Sequence, residues 1–227
     1  MSDYSRYAVY FLPDGGFYRL GADWLGWCSR QGAVRMHPEL AGLSRPIAQI
    51  TDTPRKYGFH ATIKPPFKLA KGQSAHDLAA RFRELCQATS RVEIPVLEIR
   101  RLGGFVAAVP ASHNPALQEL AATMVKGLDP FRAPASEAEL AKRRSANLTP
   151  RQEEMLAVWG YPYVMEEFRF HLTLSGRLPQ SEANDLVSRL HAHFAPVIPQ
   201  PFEVASLALM GEDETGRFHH IESQHLA

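Results

Sequence analysis

His60 and Thr62 stand two residues apart in the phrase FHATI (59–63), and His171 and Thr173 stand two apart in FHLTL (170–174). An imidazole beside a hydroxyl, offered twice, suits an in-line displacement at phosphorus. One neutral histidine takes a proton from the attacking water or hydroxyl, and the other, protonated, gives one to the departing oxygen. The threonine hydroxyls donate hydrogen bonds to the non-bridging oxygens, where charge accumulates. Histidine fits both roles because its unperturbed pKa is about 6.5. The chemistry calls for neither a metal nor a cofactor.

Random order of the chain's 12 Phe, 10 His and 8 Thr gives roughly 0.02 copies of Phe-His-x-Thr, so two copies point to a repeated structural unit. Residues i and i+2 of a strand share a face. GFHATIK then puts Gly58, His60, Thr62 and Lys64 on one face and Phe59, Ala61 and Ile63 on an apolar one, and Pro65-Pro66 should stop the strand. In the second phrase Arg169, His171, Thr173 and Ser175 alternate with Phe168, Phe170, Leu172 and Leu174. Each half therefore delivers one inward His-x-Thr.

The flanking elements repeat in order. YSRYAVYFL (4–12) reads as a strand ending at Pro13-Asp14-Gly15-Gly16. Residues 17–30 read as a helix and 31–54 as irregular. After the first motif come a helix over 75–89 capped by Ser74, strands over 93–101 and 104–109, and a helix over 115–127. After the second come a helix over 181–194 and strands near 202–210 and 216–223. Between them, Ser136 with Glu139 and Thr149-Pro150 with Gln152 fit capping boxes, so two short helices are expected near 137–145 and 150–159. Arg132, Lys142, Arg143 and Arg144 make that segment locally basic.

The bulk numbers frame these motifs. A chain of 227 residues with 45% hydrophobic and 22% charged residues is an ordinary globular protein with enough length for a large core. A net charge of +1 gives no overall footprint for DNA or an anionic membrane. Cys28 and Cys86 lack the spacing of a disulfide framework or a zinc site. His191 with His193, and His219 with His220, point to different faces of their elements and do not make a metal set. The amino terminus lacks signal-peptide character and no run is long enough to span a membrane, so a cytoplasmic location is expected.

With its paired FHAT and FHLT strands the chain resembles the two-histidine phosphoesterase superfamily, which includes cyclic phosphodiesterases and RNA 2′,3′ ligase-like proteins. The contexts TPRKYGFHATIKPPF and WGYPYVMEEFRFHLTLSGRL resemble more closely the branch associated with phosphonate-utilisation operons. The resemblance covers most of the chain. It implies an α+β fold, duplicated and bilobal, with antiparallel sheets lining a central cleft and helices outside. The division expected is a first-motif lobe over about 13–127, a helical insertion over about 128–165, and a second-motif lobe over about 166–227 joined by the N-terminal strand. It also implies metal-independent chemistry on a cyclic or linear phosphodiester, with His60, Thr62, His171 and Thr173 as the catalytic set and a phosphoribosyl cyclic phosphate or related compound as substrate.

Lys64 and Arg169 share strand faces with the histidines and are candidates to hold a second phosphate or a carboxylate. Tyr57 and Arg55, just before the first motif, are candidates for its rim. The partner expected is a small phosphodiester. The rival reading is a binding or ligase-like module on the same scaffold, holding a nucleotide or an RNA end with Tyr57, Tyr161 and Tyr163 as stacking surfaces.

Overall fold

The computed structural model describes residues 4–227. Strand β1 (Arg6–Phe11) leads through the Pro13–Gly16 turn into α1 (Gly15–Leu25). The helix expected to run to residue 30 stops at Gly26, whose φ of +80° places it in the left-handed region with its N–H on the Ala22 carbonyl. A small ribbon, β2 (Trp27–Cys28) with β3 (Ala33–Val34), follows, then two single turns, α2 (Ile47–Ile50) and α3 (Asp52–Arg55). The first motif opens β4 (Ala61–Phe67). Next come α4 (Ala75–Gln87), β5 (Val92–Ile94), β6 (Leu97–Leu102), β7 (Phe105–Pro110) and α5 (Pro115–Gly127). The intervening segment supplies α6 (Glu137–Arg144) and α7 (Pro150–Trp159). The second motif contains β8 (Leu172–Thr173), followed by α8 (Gln180–Phe194), β9 (Phe202–Val204), β10 (Ser206–Glu212) and β11 (Phe218–His225).

The fold is α+β. Seven strands form one antiparallel sheet in the order β11-β10-β1-β4-β8-β7-β6, and β5 pairs with β9 in a separate ribbon. The two motif strands are neighbours at the centre. Pairing crosses the sequence division expected for the lobes, since β4 pairs with β1, which pairs with β10, while β8 pairs with β7 from the first half. A single apolar cluster runs under both halves of the sheet, from Phe17 and Trp24 of α1 through Phe82 of α4 and Leu120 of α5 to Phe194 of α8.

Three strand expectations are corrected. β4 continues through Pro65-Pro66 to Phe67. Proline is tolerated where no ladder hydrogen bond is needed, and β8 meets β4 only at Ala61, leaving that edge of 62–67 unpaired by strand. The run over 93–101 breaks at Pro95 into β5 and β6, which join different sheets. The second-motif strand shrinks to two residues because the Ser175 hydroxyl, not a backbone carbonyl, accepts the Val106 N–H at 2.9 Å.

The caps form as the sequence indicates. Ser136/Glu139 and Thr149/Gln152 both close capping boxes, and the Ser74 hydroxyl accepts the Asp77 N–H at 3.1 Å. Among the described residues no helix is long and apolar enough to cross a membrane.

Candidate active site

β4 and β8 are antiparallel with Ala61 opposite Leu172, both fully buried. The pleat turns the residues on either side of each to the other face. His60, Thr62, His171 and Thr173 therefore project together, and the register sets Thr62 across from His171 and His60 across from Thr173. Cross-strand neighbours of this kind have Cβ atoms about 4.5–5.5 Å apart. The two motifs are thus related by a local twofold between Ala61 and Leu172.

Each imidazole is fastened in the same way. His60 Nδ1–H donates to the Gly58 carbonyl at 2.9 Å, and His171 Nδ1–H donates to the Arg169 carbonyl at 2.7 Å. A carbonyl only accepts, so the hydrogen sits on Nδ1 and Nε2 is left as the acceptor nitrogen of both neutral rings. His60 Nε2 accepts the Thr62 hydroxyl at 3.0 Å. The His60 ring stacks on Tyr10 at 3.7 Å, and the His171 ring lies 5.7 Å from Phe105. Gly58 makes the first fastening possible. Its φ is +74°, and a Cβ there would meet the Ser29 hydroxyl oxygen at 2.9 Å.

Burial governs the protonation of both histidines. It pushes His60 down to about 4, against the Gly58 carbonyl, which favours the charged ring, and with added repulsion from His171. His171 is also held below its usual range by burial, opposed by the Arg169 carbonyl. Burial therefore disfavours a charge on either ring, and a proton on His171 opposes one on His60.

Because β4 and β8 meet at one residue pair and then separate, a cavity of about 450 Å³ opens between them. Thr62, His171 and Arg169 line it with Phe105, Tyr161 and Tyr163. His60 lies behind Thr62, and Thr173 is paired with Ala107 of β7. The Arg169 side chain is exposed and forms no ion pair among the described residues, leaving the guanidinium available to an anion. Tyr57 stands 6.1 Å from His60 and lines an adjoining cavity.

Two expected ligand residues are placed elsewhere. Lys64 is 2% exposed, and its Nζ donates to the Val125 carbonyl at 3.0 Å near the C-terminal end of α5. A register shift between Thr62 and Lys64 against β1, where Tyr10 faces Thr62 and Val9 faces Lys64, breaks the alternation that would have kept it beside His60. Burial pushes its ammonium down to about 8. Arg55 is occupied by the Leu25 carbonyl at 3.1 Å, the Thr51 hydroxyl at 3.2 Å and the Ala48 carbonyl, so it braces the loop before the motif. Ser175, expected on the polar face, is buried against β7.

Tyr10 and Phe105, which flank the two imidazoles, carried no sequence signal for that role. Their placement depends on strand partners far away in the chain. Among the described residues no group of three or more His, Cys, Asp or Glu side chains is gathered to hold a metal ion, and both cysteines are buried free thiols.

The family described as "Protein of unknown function (DUF1045)" matches residues 62–219, which is more than half of the chain. The chain belongs to that family. Two curated relatives, both named ribose 1,5-bisphosphate phosphokinase PhnN, are 34% identical over 219 residues in Janthinobacterium sp. (strain Marseille) and 35% identical over 216 residues in Laribacter hongkongensis (strain HLHK9). In each case 93% of this chain is matched, and it spans about half the relative's length, 48% and 49%. Among solved structures, E. coli LigT complexed with NADP+ aligns with a TM-score of 0.47 at 12% identity, over 100% of this chain and 99% of that one. A structure described as a phosphoesterase aligns with a TM-score of 0.46 at 11% identity, over 98% and 99%. Likeness at that level says nothing about chemistry.

Proposed function

We propose that this chain is a phosphoesterase of the two-histidine class, acting without a metal on a cyclic or linear phosphodiester. The observation that carries the reading is the pair of imidazoles fastened identically at Nδ1 and set across a local twofold with a threonine opposite each. A catalyst that must take a proton on one side of phosphorus and deliver one on the other needs this symmetry.

The phosphate sits over the Ala61–Leu172 pair. His60 Nε2, neutral, removes the proton from the attacking water as its oxygen bonds to phosphorus. His171 Nε2–H protonates the ester oxygen as the P–O bond breaks. The Thr62 hydroxyl, which rests on His60 Nε2 in the free protein, turns to a non-bridging oxygen and so frees that nitrogen, and Thr173 and Arg169 donate beside it. Turnover leaves the proton on His60, and exchange with solvent restores the starting state.

The substrate reading is a phosphoribosyl cyclic phosphate or a related intermediate of phosphonate metabolism. Its support is the motif context together with the half-length match to proteins named for a ribose bisphosphate. A second reading, a module that holds a nucleotide or RNA end, is favoured by the Tyr161–Tyr163 pair with the Arg143 guanidinium 4.4 Å over Tyr161.

Hydrolysis of 2′,3′-cyclic nucleotides, a ribose cyclic phosphate and bis-p-nitrophenyl phosphate in EDTA decides between them. Wild type should turn over at least one compound, and His60→Ala and His171→Ala should each lose about 10²–10⁴-fold while remaining folded. Activity abolished by EDTA, or untouched by either substitution, would overturn the reading. Binding without turnover through the same histidines would favour the module.

A further inference from the structure

A second cavity, of about 410 Å³, adjoins the catalytic one, and Tyr163 lines both. Its walls carry six cationic side chains, Arg6, Lys56, Lys68, Arg132, Lys142 and Arg143, and one carboxylate, Glu139. The whole chain has a net charge of only +1, so this concentration is local.

Three of the six are neutralised. Arg6 pairs with Glu212, Arg132 with Asp129 at 2.7 Å, and Lys68 with Glu139 at 3.6 Å. Lys56, Lys142 and Arg143 form no ion pair among the described residues. The Lys56 ammonium rests 5.0 Å over the Tyr57 ring, and the Arg143 guanidinium 4.4 Å over the Tyr161 ring. Arg143 also hydrogen-bonds the Tyr161 side chain, and the five N–H donors of a guanidinium leave others for an anion. Lys142 and Arg143 are consecutive on α6 and so point about 100° apart, yet both reach the same cavity. The cavity faces therefore come from several separate parts of the chain, among them Lys56 before β4, the end of β4, and α6.

We propose that this cavity binds a second phosphate of the substrate, a monoester dianion carried on the same sugar as the phosphodiester that reacts at His171. Three uncompensated cations, one of them a fork, match a group of charge near −2 with three acceptor oxygens. An RNA backbone would require a basic track continuing beyond the cavity, which the near-neutral chain does not supply. The inference rests on the phosphoesterase reading for the reacting group but makes a separate claim about the remote one.

Two measurements test it at low ionic strength. The first compares kcat/KM for a ribose cyclic phosphate with and without a 5-phosphate. The second is calorimetric binding of ribose 5-phosphate to wild type, to Lys142→Gln/Arg143→Gln, and to Lys56→Gln, which changes a different wall. The 5-phosphate should raise kcat/KM at least tenfold in wild type. That preference and the affinity for ribose 5-phosphate should both fall several-fold in each variant, and fall in wild type as salt is added. Equal kcat/KM for the two cyclic compounds, or unchanged ribose 5-phosphate affinity in both variants, would overturn the proposal while leaving the phosphoesterase reading intact. If neither cyclic compound is hydrolysed, the phosphoesterase reading fails and the binding comparison alone decides this one.

Discussion

Protonating His60 should cost the folded protein stability in acid, by an amount fixed by its burial. The ring is stacked on Tyr10, fastened to Gly58 and pushed down to about 4, against about 6.5 in an unfolded chain. Between those two values the unfolded state binds a proton that the folded state refuses, so stability falls as pH drops from 6.5 towards 4, with little further loss from this group below 4. Integrating the linkage from pH 7 to pH 4.5 gives a loss of about 2 kcal/mol from His60 alone. Urea unfolding of wild type and His60→Gln at both pH values isolates it, because Gln retains a donor and an acceptor but does not titrate. Acid-sensitive carboxylates such as Asp213 and Glu139, held low by hydrogen bonds to their neighbours, contribute alike to both proteins and cancel in the difference. Wild type should lose about 2 kcal/mol more than the variant. Equal losses would show that His60 is solvated in the fold and would remove the basis for assigning it as the base.

The same burial sets the rate profile. With His171 as the proposed acid and both rings depressed, kcat/KM should peak below pH 6.5 and decline as the acid form is lost at higher pH; an optimum above pH 7.5 would contradict the burial of the pair. Lys64→Met should leave KM for bis-p-nitrophenyl phosphate unchanged and alter stability at pH 7 by less than about 1 kcal/mol, since a costly buried ammonium is removed along with its bond to Val125. Because burial holds Lys64 near 8, the wild-type fold should also gain stability between pH 8 and 10 relative to this variant, measured by urea unfolding. Gly58→Ala should cost more than about 1 kcal/mol from its positive φ alone and should lower kcat by shifting the carbonyl that fastens His60.

Local patterns carried much of this architecture. Period-two alternation put His60, Thr62, His171 and Thr173 on polar faces, and the Ser136 and Thr149 capping boxes placed α6 and α7 within a residue. Those signals are local because both strand pleat and helix capping are settled within a few residues. Strand pairing is not. The Ala61–Leu172 register joins residues more than a hundred apart, and it is this register that turns two repeated phrases into one site. The bulge between Thr62 and Lys64 is likewise a property of the β1–β4 pair. From β4 alone Lys64 belongs with the histidines, whereas in the fold it donates a hydrogen bond to a carbonyl of α5.

Arg143 and Arg144 show where composition stops being informative. They are the same residue type, adjacent on α6, and from sequence they read together as a solvated helix face. One helical step of about 100° separates them. Arg144 turns outward to Glu153 at 3.1 Å, a surface pair worth little. Arg143 turns inward onto Tyr161, which lines the cavity beside His171, and itself lines the basic one. The segment that reads as an insertion between two repeats thus supplies a wall to both cavities. In the proposed reaction, a repeated fold with a near-twofold centre treats both sides of phosphorus alike. The asymmetry that would let it tell one phosphodiester from another has to come from outside the repeat, and α6 and α7 with the tyrosines that follow them are where this chain carries it.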